Sequence, residues 1–270
     1  MHELRAVIFD WAGTLVDFGS RAPAAAFVEA FAQFQVAATE EEAREPMGLP
    51  KRAHIAAMLA QPRLAKLWLK TRGTEPDEAA IDAVYKVFVP INATIAKREA
   101  ELIPGTLEAT SLLRQHDVKI GSTTGYVRPI MEGVVERAAA QGFSPDCLVC
   151  ADEVPVGRPT AMAMYHCFVA LGVHEPSRIV KVDDTAPGIA EGRAAGTWTI
   201  GLTLSGNAVG LTEQALNALS EPEKQKHRER AGSVLSDAGA DYVIDSIADI
   251  QTPLEAIAAR IAAGEKPPIY

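Results

Sequence analysis

The chain is poor in cysteine, has no excess of basic charge and contains no long apolar run. Three cysteines in 270 residues, Cys147, Cys150 and Cys167, do not make the even set that staples a small secreted domain. Cys147 and Cys150 have redox or zinc spacing, but no second pair accompanies them, and strand positions three apart face opposite ways. They are expected to pack as small apolar residues. Lys and Arg number 26 against 35 Asp and Glu, a formal net charge of -9, which argues against the basic stripe of a nucleic-acid surface. An anionic substrate would therefore need a local pocket of cations or metal. The N-terminal apolar run ends at Asp10, too soon for a signal peptide or a membrane span, and a cytoplasmic protein is expected. No internal repeat or low-complexity tract is present.

What remains is ordinary globular composition, 48% hydrophobic and 23% charged, in a chain long enough for one large domain or a core with an insert. Ala6-Val7-Ile8-Phe9 is apolar and β-branched, as a strand buried on both faces should be. From residue 19 to 100 no strand signal appears. Ala26, Phe27, Ala30, Phe31 and Phe34 recur at helical spacing; Thr39 and Glu42 form a capping box; Pro50-Lys51 starts a further helix. Leu64, Leu67 and Trp68 mark another, and Ile81, Val84, Tyr85 and Phe88 one that Pro90 should kink. From Ile103 strand and helix alternate, with strands over 118–124, 147–150, 178–184, 197–201 and 241–244 and helices over 106–115, 127–140, 160–171, 187–195 and 247–263. The alternation predicts an α/β fold, a doubly wound, Rossmann-like parallel-sheet core over 1–18 and 101–270 with an inserted all-helical cap over 19–100.

Three of these strands end in polar residues: Asp10, then Thr123-Thr124-Gly125, then Asp183-Asp184. In a parallel sheet those ends share one edge and meet in one crevice. Alone, Asp10 reads as a catalytic carboxylate or as a loop cap. Crowded carboxylates repel unless a cation joins them, and hard oxygen ligands suit Mg²⁺. Arg158, in Gly157-Arg-Pro159, reads as a solvated turn residue or as a guanidinium holding phosphoryl oxygens and a carboxylate together.

The segments Phe9-Asp10-Trp-Ala-Gly-Thr14, Pro46-Met-Gly-Leu-Pro-Lys51, Gly121-Ser-Thr-Thr-Gly-Tyr126, Gly157-Arg-Pro159 and Glu191-Gly-Arg-Ala-Ala-Gly-Thr-Trp198 span most of the chain. Together they resemble the haloacid dehalogenase superfamily and, within it, the phosphonatase family. The resemblance implies cleavage of the P-C bond of phosphonoacetaldehyde to acetaldehyde and phosphate, in 2-aminoethylphosphonate degradation. Asp10 would be the nucleophile that becomes an aspartyl-phosphate, and Lys51 would form a Schiff base. One Mg²⁺ per subunit would be held by the Asp10 side chain, the Ala12 carbonyl and Asp184. Thr124, Gly125 and Arg158 would bind phosphoryl oxygens, with Met47, Tyr126 and His54 near the substrate. The helical insert would act as a lid and as the interface of a homodimer, and the partner would be a small-molecule phosphonate, with no nucleic acid and no membrane.

Two departures from superfamily phosphatases fit carbon as the leaving group. Those enzymes carry a second Asp two residues after the nucleophile, to protonate a departing oxygen; here that place is Ala12. Lys51 supplies what a carbon leaving group needs, because an iminium accepts the electrons of the broken bond. Its amine must be neutral, and burial, Arg52 next in sequence and the metal are the expected causes of a lowered pKa. His54, one turn on, is either a proton shuttle or a polar cap histidine, and for Met47 packing is an adequate alternative. Gly188 stands where relatives have an acidic residue and Asp183 where a Gly is usual, so the metal-binding member of the doublet stays open. Ser20 falls where some relatives have Cys. The rival readings are a superfamily phosphatase acting on a small phosphate ester and a non-catalytic phosphate-binding relative.

Overall fold

The computed structural model describes residues 1–268. Six parallel strands, β1 (Ala6–Phe9), β2 (Lys119–Thr123), β3 (Cys147–Val149), β4 (Ile179–Asp183), β5 (Trp198–Leu202) and β6 (Tyr242–Ile244), form one sheet in the order β3-β2-β1-β4-β5-β6. The chain steps outward from β1 to β3, then crosses back to β4 on the other side of β1. The order therefore reverses between β1 and β4, and a crevice for ligands opens there at the carboxyl ends of the strands. Phe9 lies opposite Ser122 on one side and Val182 on the other.

Both faces of the sheet are covered, which is why β1 has no polar residue. Val7 and Phe9 point into a large apolar cluster with Ile120, Val180, Val182 and the helices α6 (Thr106–Gln115), α7 (Arg128–Ala140) and α12 (Gln251–Ala262). Ala6 and Ile8 point the other way, into a smaller cluster with α8 (Met162–Leu171), as the two-residue period of a strand requires. Helix α9 (Ala186–Ala194) links β4 to β5. The three cysteines are free, and the close neighbour of Cys147 is Cys167 of α8, with 3.9 Å between sulfurs, rather than Cys150.

Between β1 and β2 lie five helices, α1 (Arg21–Ala32), α2 (Glu40–Arg44), α3 (Lys51–Ala60), α4 (Pro62–Arg72) and α5 (Glu78–Glu99), and no strand. The capping box of Thr39 and Glu42 is formed at the start of α2. Pro90 does not end its helix: α5 runs through it for 22 residues. Its flanking residues Phe88 and Asn92 are fully buried, and packing against α1, α3 and α7 outweighs the one backbone donor lost at proline. By length and composition α5 is also the one helix among the described residues able to cross a membrane; here its apolar face packs within the protein.

Between β5 and β6 the chain forms two helices that hydrophobic periodicity does not reveal, α10 (Glu213–Asn217) and α11 (Glu221–Asp237). Only Ala231 and Leu235 of α11 are buried, so it presents almost no apolar stripe to read.

Candidate active site

A small cavity at the strand ends is lined by Asp10, Ala12, Ser20, Met47, Gly48, Lys51, Thr124, Gly125, Tyr126, Arg158, Asp184 and Thr185 among others. Asp10 follows β1, and its backbone N–H donates to Val182 O at 3.0 Å, which fixes its approach to β4. Gly13 then turns the chain at φ +81°, where an added Cβ would lie 2.3 Å from Asp184 Oδ2. Only glycine allows the first loop so close to the second carboxylate. The Ser205 hydroxyl donates to Gly13 O at 3.0 Å, and the Asn207 N–H donates to Asp184 Oδ2 at 2.7 Å.

Asp10, Asp183 and Asp184 each offer an oxygen within 4.8 Å of the others, a group able to hold a metal ion. The two members of the doublet are not equivalent. Asp183 Oδ1 accepts from the Thr185 N–H and hydroxyl, while Oδ2 faces Arg158 at 3.3 Å and Lys181 at 3.1 Å. Asp184 Oδ1 is buried and has no hydrogen-bond partner. Burial and the charges of Asp10 and Asp183 push the Asp184 carboxyl well above the usual range. Burial would raise Asp183 too, but Arg158 and Lys181 outweigh it and hold that group below its ordinary value.

Arg158 reaches the nucleophile from the opposite side. Its Nη2 donates to Asp10 Oδ1 at 2.8 Å and to Thr123 O at 3.0 Å, and its Nε lies 3.2 Å from Glu191 Oε2. Lys181 Nζ, with no exposed surface, donates to Thr123 Oγ1 at 2.7 Å and lies 3.2 Å from Glu191. Lys181 and Glu191 went unassigned in the sequence, although a lysine inside an otherwise apolar strand buried on both faces is itself a signal, because buried ammonium groups are paired. Two cations, Arg158 and Lys181, thus stand among four buried carboxylates, Asp10, Asp183, Asp184 and Glu191. Even with the Lys51 amine of the same cavity counted as a third cation, the carboxylates keep a formal negative excess, which a cation at the partnerless oxygen of Asp184 would offset.

Lys51 opens α3 and is only 5% exposed. Its Nζ lies 4.0 Å from Met47 Sδ, 4.9 Å from the Tyr126 ring centroid and 5.6 Å from that of Phe27. Burial, with a further contribution from Arg158, lowers its pKa to about 8, against the opposing pull of Asp10 and Asp184. Arg52 is not part of this: its half-exposed side chain turns outward to Glu78 and Asp82, since adjacent helical residues point in different directions. The Thr124 hydroxyl accepts from the Tyr126 N–H at 3.1 Å, and both residues line the cavity with Gly125.

His54 is fully buried but does not line the cavity. Its Nε2 hydrogen-bonds the Ala43 carbonyl at 2.8 Å, its ring stacks on Phe27 at 3.8 Å, and burial with the neighbouring Lys51 charge holds it well below its ordinary pKa. It is a neutral packing residue behind Lys51. Gly48 (φ +93°) closes the other side, where a Cβ would lie 2.7 Å from Thr185 Oγ1.

A parallel sheet with a carboxylate pair at its reversal point and an all-helical insert after the first strand defines a haloacid dehalogenase-like hydrolase, and the model of that family matches residues 4–196. The chain belongs to this class. Phosphonoacetaldehyde hydrolase of Paraburkholderia phytofirmans is 51% identical over 99% of this chain and 100% of that protein. The enzyme of that name from Bordetella avium is 47% identical over 98% of the chain and 94% of its own length. The crystal structure of a phosphonoacetaldehyde hydrolase-like protein from Oleispira antarctica superposes with a TM-score of 0.97 at 43% identity, covering 98% and 96% of the two chains. Within the class, the chain is therefore a member of the phosphonoacetaldehyde hydrolase family. CbbY from Rhodobacter sphaeroides, at 20% identity and a TM-score of 0.65, shares the fold.

Proposed function

We propose that this chain hydrolyses phosphonoacetaldehyde to acetaldehyde and phosphate. The observation that carries the reading is the buried amine of Lys51, with a pKa brought down to about 8, in one cavity with Asp10 and with Ala12 where an acid would serve an oxygen leaving group.

The neutral Lys51 amine adds to the aldehyde carbon, and loss of water leaves a protonated imine. The Asp10 carboxylate then attacks phosphorus. The P-C bond breaks, its electron pair moves into the imine to form an enamine, and the phosphoryl group stays on Asp10. Protonation of the enamine at carbon and addition of water release acetaldehyde and free Lys51. A second water cleaves the aspartyl-phosphate to phosphate and restores Asp10. Arg158, against Asp10 at 2.8 Å, steadies the charge carried by nucleophile and phosphoryl oxygens. Thr124 and Gly125 contribute a hydroxyl and an amide to the same oxygens. The helices α1–α5 serve as a lid that delivers Lys51 and excludes water.

The donor set fits Mg²⁺, with Asp10, Asp184 and the Ala12 carbonyl as its ligands in this proposal. When bound, the ion neutralises the carboxylates and a phosphonate oxygen. Ion pairing of Asp183 supports assigning the metal to Asp184. A cytoplasmic homodimer, paired through the helical insert, belongs to the same proposal.

Borohydride trapping with phosphonoacetaldehyde, followed by peptide mass spectrometry, tests the reading. A substrate-derived adduct on Lys51 with phosphate release is expected in the parent chain, and neither in Lys51→Arg, which keeps a cation but has no amine that is neutral near pH 8. Phosphate release by Lys51→Arg would refute the imine route.

A further inference from the structure

Gly188 sits in the first turn of α9, after the N-cap Thr185. Its backbone lies outside the left-handed region, so conformation gives no reason for glycine there, and glycine within a helix costs about 1 kcal/mol relative to alanine. The reason is volume. A Cβ at 188 would fall 2.0 Å from Asp183 Cγ and Oδ2 and 2.2 Å from Oδ1. The carboxylate at the end of β4 fills the space that a side chain on α9 would otherwise occupy. That carboxylate is an ion partner shared by Arg158 and Lys181, at 3.3 and 3.1 Å. Without it, Glu191, which lies 3.2 Å from both cations, would be left to draw Arg158 back from the nucleophile.

We propose that Asp183 is a positioning residue whose carboxylate, in the volume above Gly188, holds Arg158 on Asp10, and that this carboxylate can be supplied equally from position 188. The inference rests on the reaction proposed above only for its kinetic readout. An acidic residue at 188 would also lie in the first turn of α9, where the helix dipole favours it.

The experiment compares Asp183→Gly, Gly188→Asp and the two combined, with Asp183→Gly/Gly188→Ala to refill the space without charge. In crystal structures, the 2.8 Å contact of Arg158 with Asp10 is expected to be lost in Asp183→Gly and restored in Asp183→Gly/Gly188→Asp. With phosphonoacetaldehyde, kcat should fall about 10- to 100-fold in Asp183→Gly, as when a partner that orients an active-site ligand is removed, with KM changed much less. It should stay low in the alanine double variant and recover in the aspartate one. Gly188→Asp alone should melt below the parent. The proposal is overturned if Asp183→Gly keeps the contact, if the alanine double variant is as fast as the parent, or if the aspartate one folds with the parent's Tm and remains slow. Should the parent turn over only a phosphate ester, the proposed function fails, while the contacts and the rescue measured on that ester still decide this inference.

Discussion

On the proposed imine route Lys51 acts only as a free amine, and its setting fixes the pH at which it becomes one. An ammonium ion cannot attack a carbonyl, so the reactive fraction grows as pH rises through about 8 and is complete above it. The expected profile of kcat/KM for phosphonoacetaldehyde climbs with pH and levels off above about 8; a plateau already complete at pH 6 would contradict a lysine nucleophile with this pKa. Arg52 and Arg158 show how far a residue's role is legible from its neighbours in sequence. Arg52 adjoins Lys51 yet turns away from it, whereas Arg158, 107 positions on, faces it across the cavity. The strand-end rule brought Asp10, Thr124 and Asp184 together correctly. It could not rank Asp183 against Asp184, because that depends on which oxygen meets Lys181 and Arg158. It gave no hint of Asn207 or Ser205, which reach the site from a loop without a motif.

Among the elements, α5 carries the helical insert. Phe88 of α5 is fully buried and stacks on Phe27 of α1 at 4.2 Å, and Phe27 in turn stacks on His54 of α3. This aromatic column joins three helices and backs the wall behind Lys51. Phe88→Ala should cost about 3–5 kcal/mol of stability, the range for deleting a buried aromatic side chain, as read by urea unfolding. The pattern of Ile81, Val84 and Phe88 made this helix legible with Pro90 as an expected kink, while its extent to Glu99 follows the packing of Asn92 and Ile95 rather than any local signal. Helix α11 went unread for the opposite reason: a crossover helix with two buried residues carries little pattern to detect. Apolar runs and turn residues located all six strands, most plainly β1, β4 and β5, where burial on both faces leaves so few alternatives.

Across the whole molecule, the helical insert meets the core beside the active site at Gly48, which passes Thr185 and Pro187 at the start of α9 with no room for a Cβ. Gly48→Ala should leave the fold intact while lowering kcat for phosphonoacetaldehyde about 100-fold, the cost of a 1 Å misplacement at a reacting centre. The chain can then be regarded as managing a branch point. On the proposed route an imine on Lys51 goes forward by losing its phosphoryl group or back by taking up water, and the fit at Gly48 is expected to set the ratio of those two exits. In the parent, forward commitment is expected to be high, so that borohydride inactivates the enzyme only once for many phosphates released. Held ajar by one methyl group, the same chain should be trapped on Lys51 by borohydride after far fewer phosphates.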